Sequence, residues 1–279
     1  MEQNGILPGR TEGKATIRVR SLEPHSAEFT SEQIGTIADI AERYGSGQVH
    51  VSARQTIEIA DIERSAIKEV FVLLNGNGLY AGSSGHFMRN VMACSRWCLY
   101  NVFPLSDLAR KLNNLYAEQK LPGKTDISLS GCGFSCTRSR TSDIGIIAQA
   151  TIEVNADKCT ECTLCVREPL GCQVEAITLS DHSVSVDGDR CIQCGYCTNV
   201  CKFSSLVLKG TSFAIFIGGS GGITPKEGLI WKSVASEQDV VDEIAGLLKC
   251  YSSVAQKGER IGSVIERLGL DSLTEVNHG

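Results

Sequence analysis

Eight of the chain's 13 cysteines fall between residues 159 and 201, and they constrain the fold more than any hydrophobic pattern does. They form two runs, CTECTLC (159–165) and CIQCGYC (191–197), each followed by a further cysteine, Cys172 and Cys201. Two C-x2-C-x2-C runs with a fourth cysteine apiece are the ligand set of two [4Fe–4S] clusters. Three closely spaced thiolates cap three irons of one cube from a single loop, and the fourth iron needs a thiolate from elsewhere. C-x2-C pairs also bind zinc, which is the competing assignment. The N-terminus, MEQNGILPGRTEGK, carries no apolar signal segment. The expectation is therefore a cytoplasmic chain whose cysteines serve metal and not disulfides. No apolar run approaches the roughly 20 residues of a membrane span. A net charge of -5 without a long basic run argues against nucleic acid as a partner.

The cysteine-rich stretch interrupts a chain of ordinary composition, 42% hydrophobic over 279 residues. Before it, KATIRVR (14–20) alternates as a strand. TSEQIGTIADIAERYG (30–45) carries Ile34, Ile37, Ile40 and Ala41 at helical spacing, with Thr30 and Gln33 as a capping box and Gly45 as the stop. GQVHVSA and QTIEIAD read as two short strands around Arg54, and IERSAIKEVFVLLNGNG (62–78) as a second amphipathic helix. Strand, helix, strand, strand, helix is the order of a small α+β sandwich. SDLARKLNNLYAEQ (106–119) predicts a helix and TDISLSG (125–131) a strand. Composition changes at about residue 153 and reverts at about 209. Beyond that, SFAIFIGG resumes as a buried strand and SEQDVVDEIAGLLKCY (236–251) as a capped helix.

The segment 153–209 resembles a bacterial two-cluster ferredoxin domain, including QVEAI after Cys172. In such domains each run borrows its fourth ligand from the other. That gives Cys159, Cys162, Cys165 and Cys201 to one cluster, and Cys191, Cys194, Cys197 and Cys172 to the second. Six residues separate Cys165 from Cys172 where that family usually has three, and Gln173 and Lys202 stand where it usually has proline. Five cysteines remain. Cys250 lies alone near the end of a helix and reads as a core thiol. The other four form two C-x3-C pairs, Cys94/Cys98 in ACSRWC and Cys132/Cys136 in GCGFSC. They suit a third cube or a buried structural role, and spacing alone does not choose between them.

Their flanks do. GHFMRNVMAC and SGCGFSCTRSRTSDIG resemble the siroheme-binding sulfite and nitrite reductases, whose pattern is R-N-V-x-x-C, a second cysteine, then G-C-P-N-S-C with A-D-I-G downstream. GQVHVSARQTIEI is similar to that family's strand pair, IGGSGGITPKEG to its glycine-rich segment, and GERIGSVIERLGL to its C-terminal helix. With its inserted ferredoxin module the chain especially resembles the C subunit of anaerobic sulfite reductases and the small dissimilatory-type proteins. The resemblance implies an α+β half-unit. Residues 1–78 would form its ferredoxin-like domain, 79–152 with 210–279 its siroheme and [4Fe–4S] domain, and 153–209 the inserted two-cluster domain.

It also implies cofactors and roles. Cys94, Cys98, Cys132 and Cys136 would hold a third [4Fe–4S] cluster, with Cys136 bridging to the iron of siroheme. Siroheme carries eight carboxylates, so its burial calls for cationic donors. Arg18, Arg20, Arg54, Arg89, Asn90, Arg138, Arg140 and Lys226 are the candidates. Arg89, Arg18 and Lys124 are the candidate substrate contacts, able to stabilise negative charge and deliver protons. His50 and His86 are isolated and fit structural roles. The implied reaction is six-electron reduction of sulfite to sulfide; the alternatives are reduction of nitrite to ammonia or of another small substrate, and, without catalysis, a cluster-bearing electron carrier that holds no heme. GGSGG (218–222) lacks the dinucleotide spacing, so electrons would come from a donor protein. A single half-unit implies a homodimer or a heteromeric complex. Three features depart from the family: the C-x3-C spacing at Cys94/Cys98, GCGFSC for G-C-P-N-S-C, and SLEPHSAEF for the usual proline–glycine–glycine.

Overall fold

A computed structural model describes residues 5–22, 28–101 and 103–274. Most of the SLEPHSAEF departure lies outside the described residues.

The N-terminal part is an antiparallel sheet with two helices on one face. Strands β1 (Ile6–Pro8) and β2 (Lys14–Ser21) are followed by α1 (Ser31–Tyr44). Then come β3 (Val49–Val51), β4 (Ile57–Glu63), α2 (Ile67–Gly76) and β5 (Leu79–Ala81). Sheet order is β1-β2-β4-β3, with β5 pairing the far end of β2. Alternation along β2 sends Ala15, Ile17 and Val19 into the core against Ile37 and Ile40 of α1 and Val70 and Leu74 of α2. The same alternation leaves Arg18 and Arg20 on the opposite face. The Thr30 capping box forms as the sequence predicts. Thr30 Oγ1 accepts the Gln33 N–H at 3.1 Å, and the Gln33 side chain accepts from Thr30 N–H at 3.0 Å. Such a cap contributes about 1 kcal/mol. The second predicted helix begins five residues late, because Ile62 and Glu63 end β4 and Arg64–Ala66 form a 3-10 turn.

The second part is a mixed sheet. Strands β6 (Met92–Ala93), β7 (Ile127–Ser130) and β8 (Ile144–Val154) are joined, with α3 (Ser106–Tyr116) between the first two. Then come the hairpin β9 (Ile177–Ser180) and β10 (Ser183–Val186), and the short α4 (Tyr196–Val200). Strands β11 (Leu206–Ile217) and β12 (Leu229–Val234), and helices α5 (Glu237–Val254) and α6 (Ile261–Leu268), complete the chain. Order is β12-β11-β8-β7-β6, parallel at β6-β7-β8 and antiparallel elsewhere. Ile144, Ile146, Ala148, Phe213, Ile215 and Ile217 pack against Leu108, Leu112, Ile244 and Leu247 of the helices.

Strands β8 and β11 carry the cysteine-rich segment. They pair without interruption of direction from Ile144↔Ile217 out to Val154↔Leu206, with a bulge near Lys209. The composition changes at 153 and 209 therefore fall inside two long strands. Apolar alternation is lost at their outer ends because those ends leave the core: Ala148 is buried, whereas Glu153 and Val154 are exposed.

Candidate functional site

The inserted segment gathers its cysteines in the two sets that crossing ligation predicts. Cys159, Cys162, Cys165 and Cys201 line one cavity with Leu179, Val184 and Phe203. Cys172, Cys191, Cys194 and Cys197 line a second with Ile177, Tyr100 and Phe134. Each cysteine outside its run accepts a backbone hydrogen bond, Cys172 Sγ from Ala176 N–H at 3.3 Å and Cys201 Sγ from Leu206 N–H at 3.4 Å. At Cys201 burial pushes the thiol up, but backbone donors from Leu206, Phe203 and Ser205 outweigh it and hold the thiol below its ordinary value. Burial prevails inside the runs, pushing the Cys165 thiol up to about 11 and that of Cys197 up to about 12. Uncharged buried thiols this close together fit a site that loses protons when metal arrives. The longer loop from Cys165 to Cys172 closes on itself, Cys172 N–H donating to Cys165 O at 2.8 Å. Gly171 permits that closure, since a Cβ there would collide with the Val166 carbonyl carbon. Among the described residues no three His, Cys, Asp or Glu side chains converge as ligands of one metal ion would.

The second group of cysteines sits at the ends of β6 and β7. Parallel pairing of Met92 with Ser128 and Ala93 with Leu129 sets the two loops side by side. Gly131 N–H then donates to Cys94 Sγ at 3.1 Å. Burial, with smaller contributions from neighbouring cysteines, raises the Cys94 thiol and takes Cys132 to about 11. Cys98 and Cys136 are exposed, so this set opens on one side. Gln55, with φ +58°, clamps the first domain to it: its amide donates to Ala93 O at 2.8 Å and accepts from Ala93 N–H at 2.9 Å.

Next to these loops lies a cavity of about 370 Å³ lined by Arg18, Arg54, Lys124, Arg138 and Arg260, with Thr137, Ser142, Gly222 and Asp126. Arg89 stands behind it, 7% exposed, with Nε and Nη1 buried and without hydrogen-bond partners among the described residues. Burial first, then the neighbouring charges of Arg54 and Arg18, lower Arg89 to about 10. Arg54 and Lys124 are lowered for the same two reasons, desolvation first and neighbouring cations second. Arg54, Arg89, Lys124 and Arg138 form no ion pair among the described residues. Arg18 does, through Glu58 (Nε–Oε1 2.9 Å, Nη2–Oε1 2.6 Å), and also donates to Ser83 O.

The structure thus brings Arg18, Arg54, Arg89, Lys124 and Arg138 to one site and leaves three other predicted residues outside it. Arg20 donates to Ala81 O and pairs with Glu118 at 3.0 Å. Arg140 pairs with Glu227 and lies 5.0 Å over the Phe216 ring. Lys226 pairs with Glu266 and lines an adjoining cavity with Gly218, Gly219, Ser263 and the far side of Arg260. Asn90 is buried and donates to Arg54 O at 3.3 Å, so it supports the Arg54 loop. His50 and His86 are exposed.

Two cavity features escape the sequence reading. Arg260, at the N-terminal end of α6, grips buried Asp143 through Nε (2.8 Å) and Nη2 (2.7 Å). Burial and Asp126 push the Asp143 carboxyl up, to about 7, against the pull of Arg260. The other is Glu58, which holds Arg18. Asp143, Arg260 and Glu58 lie inside the motifs TSDIG, GERIG and QTIEI, but nothing in spacing distinguishes a charge that faces a cavity from one on the surface.

Residues 84–277 match the nitrite and sulphite reductase 4Fe-4S domain, and residues 8–76 the nitrite/sulfite reductase ferredoxin-like half domain. The chain belongs to the nitrite/sulfite reductase family. An uncharacterized protein of Methanocaldococcus jannaschii is 34% identical over 92% of this chain and 89% of its own length. The Coenzyme F420-dependent sulfite reductase of the same organism is 30% identical over 97% of this chain, which spans 43% of that protein. The C subunit of the anaerobic sulfite reductase of Salmonella typhimurium is 29% identical over 46% of this chain and 42% of its own length. Among solved structures, dissimilatory sulfite reductase I superposes with a TM-score of 0.74 at 19% identity, covering 93% of this chain and 68% of that one. That likeness shows a shared fold.

Proposed function

We propose that this family member is a siroheme- and iron–sulfur-dependent reductase subunit that takes sulfite to sulfide. The observation that carries the proposal is the cavity beside Cys136, where Arg54, Lys124 and Arg138 line the wall and Arg89 stands behind it, none of the four ion-paired to a carboxylate among the described residues. Arg89, nearly buried and with Nε and Nη1 unbonded among the described residues, is well suited to an anionic occupant. A macrocycle bearing eight carboxylates fits that surplus charge. When bound, siroheme would supply the redox-active iron, and Cys94, Cys98, Cys132 and Cys136 would hold the cluster and the heme iron beside it. Arg54, Arg138 and Arg260 would take its carboxylates, with Lys226 meeting those that reach the adjoining cavity.

Arg89, Lys124 and Arg18 would serve the substrate. Arg89 would offer a desolvated positive charge to a bound oxyanion, and fixed donors in such a site stabilise developing negative charge strongly. Lys124 gives up a proton more readily than a free lysine because burial and neighbouring arginines lower its pKa. Glu58 orients Arg18 by two bonds to its guanidinium. The two inserted cysteine sets would hold clusters that supply one-electron chemistry, with a donor protein as the source of electrons. Nitrite is the second reading, because the matched family covers both anions; the sulfite reductase names of two relatives favour sulfite.

The test is a metal, sulfide and tetrapyrrole analysis of anaerobically purified protein with its visible spectrum. About 13 irons per chain (three four-iron clusters and one siroheme) with a Soret and a red-region band are expected. About eight irons and no tetrapyrrole would reduce the chain to an electron carrier. With the heme present, reduced viologen should support turnover of sulfite, and faster turnover of nitrite would reverse the substrate assignment.

A further inference from the structure

The GCGFSC loop differs from the family's G-C-P-N-S-C at residues 133 and 134, and the inserted segment packs on those two positions. We propose that Gly133, Phe134 and Tyr100 form a seat that holds the second cysteine run against the Cys132–Cys136 loop. The seat orders the thiolate sets: Cys172/Cys191/Cys194/Cys197 stands next to Cys94/Cys98/Cys132/Cys136, and Cys159/Cys162/Cys165/Cys201 is outermost. The proposal rests on the cluster assignments made under the proposed function.

Gly133 is a point of close approach. A Cβ at this position would lie 2.7 Å from Ile192 O and 2.9 Å from Ile192 Cβ, and Ile192 belongs to the run CIQCGYC. Contacts that short with backbone cannot be relieved by a side-chain rotation. Proline, or any residue other than glycine, would therefore lift the run off the loop. Phe134 supplies the apolar wall. It meets Tyr100 edge-on at 6.0 Å, and Tyr100 in turn tilts onto Tyr196 at 4.6 Å, inside the same run. Phe134 and Tyr100 both line the cavity that holds Cys172, Cys191, Cys194 and Cys197. An asparagine at 134 would turn an amide toward that apolar lining. The run is pinned a third time by Ala150 N–H of β8, which donates to Gln193 O at 2.8 Å. The cavity of the Cys159 set is lined by residues 159–206 alone, so that set has no such seat on the Cys132–Cys136 loop.

These are positioning residues: they touch the loops that carry ligands, and they fix the spacing between two sets. The glycine and phenylalanine are thus matched to the insertion, in place of the proline and asparagine of the wider pattern.

Magnetic coupling reads that spacing directly. In full-length protein purified anaerobically and partly reduced, the electron paramagnetic resonance of the Cys94-set cluster should be broadened by its reduced neighbour. Cys191→Ala, which empties the middle set, should abolish the broadening, and Cys159→Ala, which empties the outer set, should leave it. Gly133→Pro and Phe134→Asn should each diminish it at unchanged iron and tetrapyrrole content. If Gly133→Pro does not fold, Phe134→Asn and Tyr100→Leu carry the comparison, since both remove side-chain contacts without demanding backbone movement. Unchanged broadening in these variants at full iron content overturns the seat alone. Broadening lost in Cys159→Ala and kept in Cys191→Ala overturns the order. A wild-type chain that takes up no iron at these cysteines overturns both the seat and the cluster assignments beneath it.

Discussion

Arg89 combines three properties: it is nearly sealed from solvent, two of its nitrogens are unbonded among the described residues, and Arg54 and Arg18 stand near enough to help depress its pKa to about 10. Each is unfavourable in isolation, and an anion relieves all of them at once. Arg89→Ala should therefore lower sulfite or nitrite turnover by about 10²-fold or more. The intensity of the heme bands should stay within error of wild type, because Arg54, Arg138 and Arg260 remain. Turnover unchanged, or heme lost in proportion to activity, would remove Arg89 from the substrate site. The residue is legible in the sequence only through the motif MRNVMAC, since an arginine before a strand is otherwise an ordinary surface charge. Its burial could not be read there, because the segment it pairs with, through Arg89 N–H to Thr125 O at 2.9 Å, lies beyond an intervening helix in the sequence. Arg20 shows the reverse. It shares a strand face with Arg18, yet its Nε donates to Ala81 O and its Nη2 to Glu118, so a carboxylate already balances its charge although Nη1 is buried without a partner among the described residues; the alternation that groups the two cannot tell them apart.

At the scale of elements, local signals are the legible ones. Both capping boxes, at Thr30 and Ser236, form where hydroxyl, spacing and helical period agree. Strands β8 and β11 are legible only in part, because their pairing is long-range and their outer ends have shed the apolar alternation that marks a buried strand. One contact at this scale carries a pH dependence. Glu259, between α5 and α6, accepts from Arg267 Nε (2.8 Å) and Nη2 (2.6 Å) and from Gln256 N–H (2.8 Å). The Arg267 bonds are the main reason its carboxyl is held at about 2 and not at 4.5. A folded value below the unfolded one stabilises the turn above pH ~4.5, and that stabilisation disappears as pH falls toward ~2. Amide protection across residues 256–268 should decline over this window, and Glu259→Gln should flatten the decline. An identical pH profile in that variant would show that the turn is held by packing alone.

For the whole molecule, the register Val154↔Leu206 brings the two ends of the inserted segment to adjacent positions on one ladder. Replacing residues 155–205 by a short hairpin turn should then leave the rest of the chain folded. The apolar cores of the two larger parts do not draw on the excised residues. Iron should fall from about 13 to about five per chain, the four-iron cluster and the siroheme remaining. A shortened chain that retained about 13 irons would place the clusters elsewhere, and one that lost the heme as well would show that the insertion builds the heme pocket. No helix among the described residues is long and apolar enough to cross a membrane.

What the sequence determined by itself was covalent spacing and local periodicity: which cysteines can cap one cube, where helices begin, and which motifs place the chain beside the siroheme reductases. Those signals are short-range, and the physics of a few neighbouring residues suffices to read them. Only the tertiary structure decided which of the many cations share a cavity and which are neutralised by Glu58, Glu118, Glu227 or Glu266. It alone set Gly133 and Phe134 beneath Ile192 and Tyr196, because charge balance and close approach depend on residues brought together from distant parts of the chain.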